Sequence, residues 1–223
     1  MNQEGIWIVG GGRFGQKAIK TLGRNRSRHR LVVIEKNPVV CAGLARQGIR
    51  IVCQDGISFL AERIIKTNAL PQWIVPVIPV HVAYEWARLA VSPEFVFEPY
   101  PIPEQLLRKL PHPTRGAEGT VYMSHADFIC PDRCAQAGDI CTHTGRKRPP
   151  ALNAGLANLN AAPFLSIVVF SRQLGPGVGG FTPQALLDIL ARIKSCTGPF
   201  LLSTACKFHG VMNGFVVRKQ PPG

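Results

Sequence analysis

Gly10, Gly12 and Gly15 stand in G-x-G-x-x-G spacing within IWIVGGGRFG, directly after a short apolar run of β character. That spacing has a mechanical meaning. The first glycine makes a tight turn, the second lets backbone N–H groups approach a pyrophosphate, and the third lets the next helix pack closely on the strand. A helix opening there aims its N-terminus at the phosphates. Twenty residues after Gly15 comes Glu35, near the end of a second apolar run, LVVIEKN, where a carboxylate can accept ribose hydroxyls. The pattern predicts a site for an adenine dinucleotide. Glu35 favours NAD(H), because a carboxylate repels the extra 2′-phosphate of NADP(H), whereas Lys36 and the cationic GRNRSRHR ahead of Leu31 oppose that preference. An adenine mononucleotide stays open.

A second constellation is built of sulfur and imidazole. Of the seven cysteines, an odd number that precludes complete internal pairing, Cys130, Cys134 and Cys141 crowd together with His125 and His143 in SHADFICPDRCAQAGDICTHTGRKRPP. Thiolates and imidazoles so close on a loop with little periodicity are what a metal would organise. Three cysteines are one ligand short of a tetrad. Cys206 or His209, in CKFHG, could supply the fourth, with His143 in reserve. Four thiolates suit zinc and an iron–sulfur cluster alike, and three thiolates with one imidazole lean toward zinc. The alternative is a set of reduced thiols in a loop. Cys41, Cys53 and Cys196 stand alone beside apolar segments and read as buried small hydrophobes.

The elements that must position these groups alternate. After the first strand and the helical GQKAIKTLG come a strand at Leu31, a helix from Pro38 to Gln47, a strand in GIRIVCQDG, a helix from Ile57 to Lys66 and a strand from Gln72 to Val77. Alternation of this kind specifies a parallel, doubly wound α/β sheet. GGGRFG, IEKNP and the Asp-Gly closing the third strand resemble the TrkA-N type, the NAD-binding part of regulators of potassium conductance, over roughly residues 5–75. The resemblance implies that Gly10, Gly12 and Gly15 form the phosphate loop and that Arg13, with Phe14 next to it, lies beside the phosphates. It further implies that Glu35, followed by Lys36, holds the ribose and that Asp55 borders the adenosine. Cys-Gln-Asp-Gly stands where the family has Gly-Asp-Ala, so Asp55 is the position that departs most.

Beyond the fourth strand, VPVIPVHVAYEWARLAV puts His81 in the first turn of a helix, where it could poise a proton or simply pack. PYPIPEQLLRKLPHP, from Pro99 to Pro113, reads as a proline-rich linker with one short helix. It divides the chain into a nucleotide-binding domain, residues 1–100, and a second part, residues 101–223. In that part the Cys/His loop precedes a β-α-β unit: SIVVFSRQ, a helix from Thr182 to Lys194, and PFLLSTA. A right-handed crossover would make its strands parallel and bring GPGVGG and CKFHG to one edge. GPGVGG lacks a P-loop ending, and reads either as a phosphate cradle or as a loop that lets two backbones approach.

Composition bounds the rest. With 46% hydrophobic and 17% charged residues among 223, the chain can bury a core, and disorder is not expected. No apolar run approaches the roughly 20 residues of a membrane span. The start shows no leader pattern, and a cytoplasmic location is expected. The net charge of +13 is spread evenly, 13 basic against 7 acidic residues in 1–100 and 13 against 6 in 101–223. This even spread makes nucleic acid a minor partner, despite GRKR at Gly145 to Arg148. Three functions follow in order: an NAD(H)-binding, metal-containing regulatory or redox-responsive protein; an NAD-dependent oxidoreductase with a zinc or iron–sulfur centre; and a basic nucleic-acid-associated protein with structural zinc. The expected partner is an adenine dinucleotide, with a homodimer open.

Overall fold

Short apolar runs flanked by glycine make the strands of the first unit, and amphipathic segments between them make its helices. The computed structural model describes residues 5–25, 28–66, 69–91, 94–131, 134 and 138–219. The chain divides into two compact units, Met1–Leu89 with Arg172–Leu187, and Ala90–Ser171 with Asp188–Gly223. No described helix is long and apolar enough to cross a membrane.

In the first unit, β1 (Ile6–Val9), β2 (Leu31–Glu35), β3 (Arg50–Cys53) and β4 (Trp73–Pro76) form a parallel sheet in the order β3-β2-β1-β4. Helices α1 (Arg13–Asn25), α2 (Pro38–Ala45) and α3 (Gly56–Lys66) alternate with the strands, giving the Rossmann-like α/β arrangement expected from the sequence. The core joins Ile6 and Ile8 of β1, Leu31 and Val33 of β2, Ala18, Ile19 and Leu22 of α1, and Leu44 of α2. Each Leu or Ile fully buried in this way contributes about 1.5–3 kcal/mol. Asn37 caps α2, its Oδ1 accepting Val39 N at 2.9 Å, with Pro38 preset for the first turn.

Gly-rich 175–180 does not form a loop. It turns a hairpin between β9 (Arg172–Gly175) and β10 (Val178–Gly180), and Phe181 bonds Ile74 of β4 in both directions, N to O at 2.8 and 3.0 Å. A Cβ on Gly180 would lie 2.8 Å from the Ile74 carbonyl oxygen. Glycine here serves the close approach of two backbones, the second of the two readings above. The hairpin thereby covers what would be an open sheet edge.

In the second unit, β6 (Thr114–Arg115), β7 (Val121–Ser124), β12 (His209–Lys219), β11 (Gly198–Ala205) and β8 (Leu165–Phe170) lie in the order β6-β7-β12-β11-β8, and β5 (Phe95–Pro99) also pairs with β12. β8 and β11 are parallel, as expected for the strands flanking α7 (Pro183–Ser195). The strand expected from Ser166 to Gln173 is instead two: β8 ends at Phe170 and β9 starts at Arg172. The segment from Pro99 to Pro113 is no linker. Ile102, Leu106 and Leu107, the last two in α5 (Glu104–Leu107), join Leu110, Met123, Leu201 and Met212 in the core of this unit. Its prolines end the elements on either side while its leucines anchor it, so proline content alone misread it. Leu152 and Leu156 of α6 (Leu152–Ala157) complete that core.

Further corrections concern single residues. Cys53 is exposed, because it ends the edge strand β3, and Cys196, just after α7, is only half-buried, although Cys41 is buried as expected. His81 sits just before α4 (Val82–Val91), its carbonyl accepting Glu85 N at 3.0 Å. The side chain is only 4% exposed and stacks on Tyr84, the packing alternative.

Candidate functional site

The glycine loop is shaped by contacts that only glycine permits. Gly10 has φ +114°, and a Cβ there would lie 2.8 Å from Ile78. At Gly15 a Cβ would run into the Gly10 carbonyl oxygen, so α1 can begin this close to β1 only without a side chain. Gly12, by contrast, has nothing within 4 Å of a built Cβ. Its carbonyl accepts Gln16 N at 2.9 Å, which makes it the residue from which α1 departs and leaves open space above the helix N-terminus. Dipole and amides of that terminus favour an anion.

Glu35 ends β2 beside this loop. Its Oε2 accepts the Gly11 amide at 2.6 Å and its Oε1 accepts the Asn37 amide at 2.8 Å. One carboxylate therefore ties the glycine loop to the turn after β2, and each oxygen retains a lone pair for a further donor. Gly11 and Asn37 are the residues sequence reasoning missed here, and the middle glycine of the GGG run was the available signal. Gln54 N donates to the Glu35 carbonyl at 3.0 Å, setting the end of β3 beside the end of β2. Asp55 follows and caps α3, Oδ1 accepting Ile57 N at 3.0 Å and Ser58 N at 3.1 Å. Arg13 and Phe14 open α1 on its exposed side, with the guanidinium 5.9 Å from the Phe14 ring centre, and Lys36 is exposed after Glu35. The loop, Glu35 and Asp55 thus share the carboxyl ends of the strands, where α/β sheets bind ligands. Behind Glu35, the Cys41 thiol donates to its carbonyl at 3.1 Å, and burial, with Cys53 and Glu35 nearby, pushes Cys41 up to about 11.

The sulfur site lies wholly in the second unit and surrounds a cavity of about 290 Å³. Cys130, Cys134, Cys141, His125, His209 and Arg148 are among the residues lining it. Two tight turns hold two of the sulfurs. From Cys141 to Arg146 the backbone closes on itself, Gly145 N to Cys141 O and Cys141 N to Arg146 O at 2.8 Å each, using the positive φ of Gly145. The Thr144 hydroxyl and then the amides of Thr144 and His143 bring the Cys141 thiol down to about 7. Between β11 and β12, Cys206 N donates to His209 O at 2.9 Å, while the amides of Phe208 and His209 point at Cys206 Sγ from 3.4 and 3.3 Å. Burial raises the Cys206 thiol, but the His209 ring and these amides outweigh it and the net shift is downward. Cys130 is pushed up, first by burial and then by negative charge on Cys134, Cys141 and Cys206, with Arg148 opposing.

His209 bridges two sulfurs, with Nε2 3.7 Å from Cys130 Sγ and Nδ1 3.9 Å from Cys206 Sγ. His125 is held toward its neutral form by burial, against a backbone bond at Pro150. His143 is exposed and packs against Phe128 with ring centres 4.8 Å apart, behind a cavity-lining residue and not itself in the lining. Among the described residues, no three His, Cys, Asp or Glu side chains already converge as a metal-ready group. The donors surround a space. Arg148, which sequence reasoning missed, reaches it through an exposed basic run that read as solvated charge.

The first unit carries a TrkA-N domain: residues 6–62 match the model of that domain. Residues 65–218 match a family model described as "Uncharacterized protein, C-terminal domain", and the chain belongs to that family. Its model takes in β4 and the second sheet as far as Arg218 of β12. An "Uncharacterized protein" of Archaeoglobus fulgidus (strain ATCC 49558 / DSM 4304 / JCM 9628 / NBRC 100126 / VC-16) is 30% identical over 217 residues, covering 92% of this chain and 96% of that one. No solved structure matches the chain.

Proposed function

We propose that the protein is an NAD(H)-binding regulator whose second unit carries a metal-binding thiol site. The division of labour assigns nucleotide binding to the first unit and the redox-responsive metal site to the second. The observation that carries the nucleotide reading is the pairing of open space at Gly12 with the Glu35 carboxylate on the Gly11 amide at 2.6 Å. A pyrophosphate placed there meets the amides at the start of α1, and Glu35 meets the adenosine ribose. Arg13 and Lys36 add positive charge at the rim, and Asp55 orients the start of α3. NAD(H), once bound, would supply a redox-dependent charge that the protein can sense. A regulatory role is favoured over turnover because His81, the one histidine near these strand ends that the sequence offered as a proton carrier, is buried against Tyr84.

Titration calorimetry with NADH, NADPH and ATP tests the site. Gly12→Val fills the open space without meeting any neighbour within 4 Å at its Cβ, so it is expected to fold normally and lose NADH binding at least tenfold. Equal NADH affinity in wild type and variant would place the nucleotide elsewhere.

A further inference from the structure

Cys206 and His209 are three residues apart, yet they face different ways. His209 lines the cavity with Cys130, Cys134 and Cys141, and Cys206 does not. The thiol of Cys206 is turned into its own backbone, taking the amides of Phe208 and His209, and the imidazole of His209 stands between it and Cys130. Two ligands of one tetrahedral zinc, with Zn–S about 2.3 Å and Zn–N about 2.0–2.1 Å, lie about 3.6 Å apart. The 3.7 Å from Cys130 Sγ to His209 Nε2 matches that spacing.

The geometry points to a mononuclear zinc site of three thiolates and one imidazole: Cys130, Cys134, Cys141 and His209 through Nε2, with Cys206 holding Nδ1–H. The inference deepens the reading that the second unit binds a metal by naming which side chains bind it and which one only orients them. A metal-bound imidazole ordinarily donates its other N–H to an acceptor that fixes ring and tautomer. Cys206 Sγ, supported by two amides, is placed to be that acceptor. The cavity wall also holds two buried polar atoms that find no partner among the described residues, His125 Nε2 and Arg148 Nη2. Buried orphans are costly unless something completes them, and a centre with three anionic sulfurs is a fitting neighbour for the guanidinium. Three thiolates against one divalent cation leave one net negative charge, facing the cavity's Arg146, Lys147 and Arg148. Loading displaces the protons still held by the three thiols and changes no oxidation state. The ion would join Cys130, Cys134 and the Cys141 turn to the start of β12, so metal binding becomes stability of the second unit.

The test is titration of the full chain, reduced and stripped by chelator, with Co(II) followed by Zn(II). One Co(II) per chain is expected, with sulfur-to-cobalt charge transfer and ligand-field bands of a three-sulfur, one-nitrogen tetrahedron that Zn(II) abolishes. His209→Cys is expected to keep the stoichiometry while its bands move to the four-sulfur pattern. Cys206→Ala is expected to keep one Co(II) and the band positions while affinity falls about 10–100-fold, the size of a lost orienting contact. If Cys206→Ala abolishes the spectrum, or His209→Cys leaves the bands unmoved, the ligand assignment is wrong although the unit binds metal. Iron with acid-labile sulfide in anaerobically purified protein would overturn the mononuclear assignment. A wild type that takes up neither Co(II) nor Zn(II) removes the metal reading itself and leaves the nucleotide site untouched.

Discussion

Removing the Glu35 carboxylate should have two separable consequences, because it serves the fold and the ligand with the same two oxygens. In Glu35→Ala the Gly11 amide, in a buried residue, loses its 2.6 Å acceptor, whereas the exposed Asn37 amide can turn to water. Leaving one buried donor unpaired costs about 1–3 kcal/mol. With a urea m-value of about 2 kcal/mol/M, that lowers the unfolding midpoint by about 0.5–1.5 M. Tryptophan fluorescence isolates the effect, since all three tryptophans, Trp7, Trp73 and Trp86, belong to the first unit. Lost charged hydrogen bonds to the ribose should weaken NADH by about 10- to 100-fold and narrow the preference over NADPH. Glu35→Gln separates the two roles: its amide oxygen can still accept Gly11 N, so the midpoint should return toward wild type while discrimination against the 2′-phosphate stays poor. An unchanged midpoint in Glu35→Ala would show that the carboxylate does not satisfy Gly11. An unchanged ratio of NADH to NADPH affinity in both variants would remove Glu35 from the ribose.

Asp55→Ala removes the acceptor for Ile57 N and Ser58 N at the start of α3, and the same fluorescence melt should show a loss of about 0.5–2 kcal/mol; a melt matching wild type would mean that the cap is not formed in solution. Cys41, raised to about 11 by burial first and by its neighbours second, stays a protonated thiol until the pH approaches that value. Brief alkylation of the native protein at pH 8 should therefore label exposed Cys53 and spare Cys41, as peptide mass spectrometry can read, and equal labelling would contradict the burial of Cys41.

How much could be read in advance follows the range of the interactions. The glycine loop and the alternation around it were legible because each rests on neighbours within one strand–helix turn, and the steric demand at Gly15 allows only one residue type; Glu35, whose carboxylate reaches Gly11 twenty-four residues away, was legible only through its spacing from that loop. The strand β12 was not legible. Gly210, Asn213 and Gly214 interrupt its apolar pattern, and what makes Asn213 tolerable in the sheet is a bond from its Nδ2 to Thr120 Oγ1 at 3.0 Å, ninety-three residues away. The sulfur cluster divides along the same line. Cys130, Cys134 and Cys141 announce themselves by proximity in sequence, but the different orientations of Cys206 and His209, on which the proposed ligand assignment rests, are set by the turn joining β11 to β12. Pairing of Ala205 with Gly210 closes that turn, and closure folds the Cys206 sulfur back onto the amides of Phe208 and His209 while the His209 ring swings toward Cys130. In the proposed zinc site, a residue that reads as the stronger metal ligand by type becomes the holder of the weaker one, for a reason that exists only once β12 has found its partners.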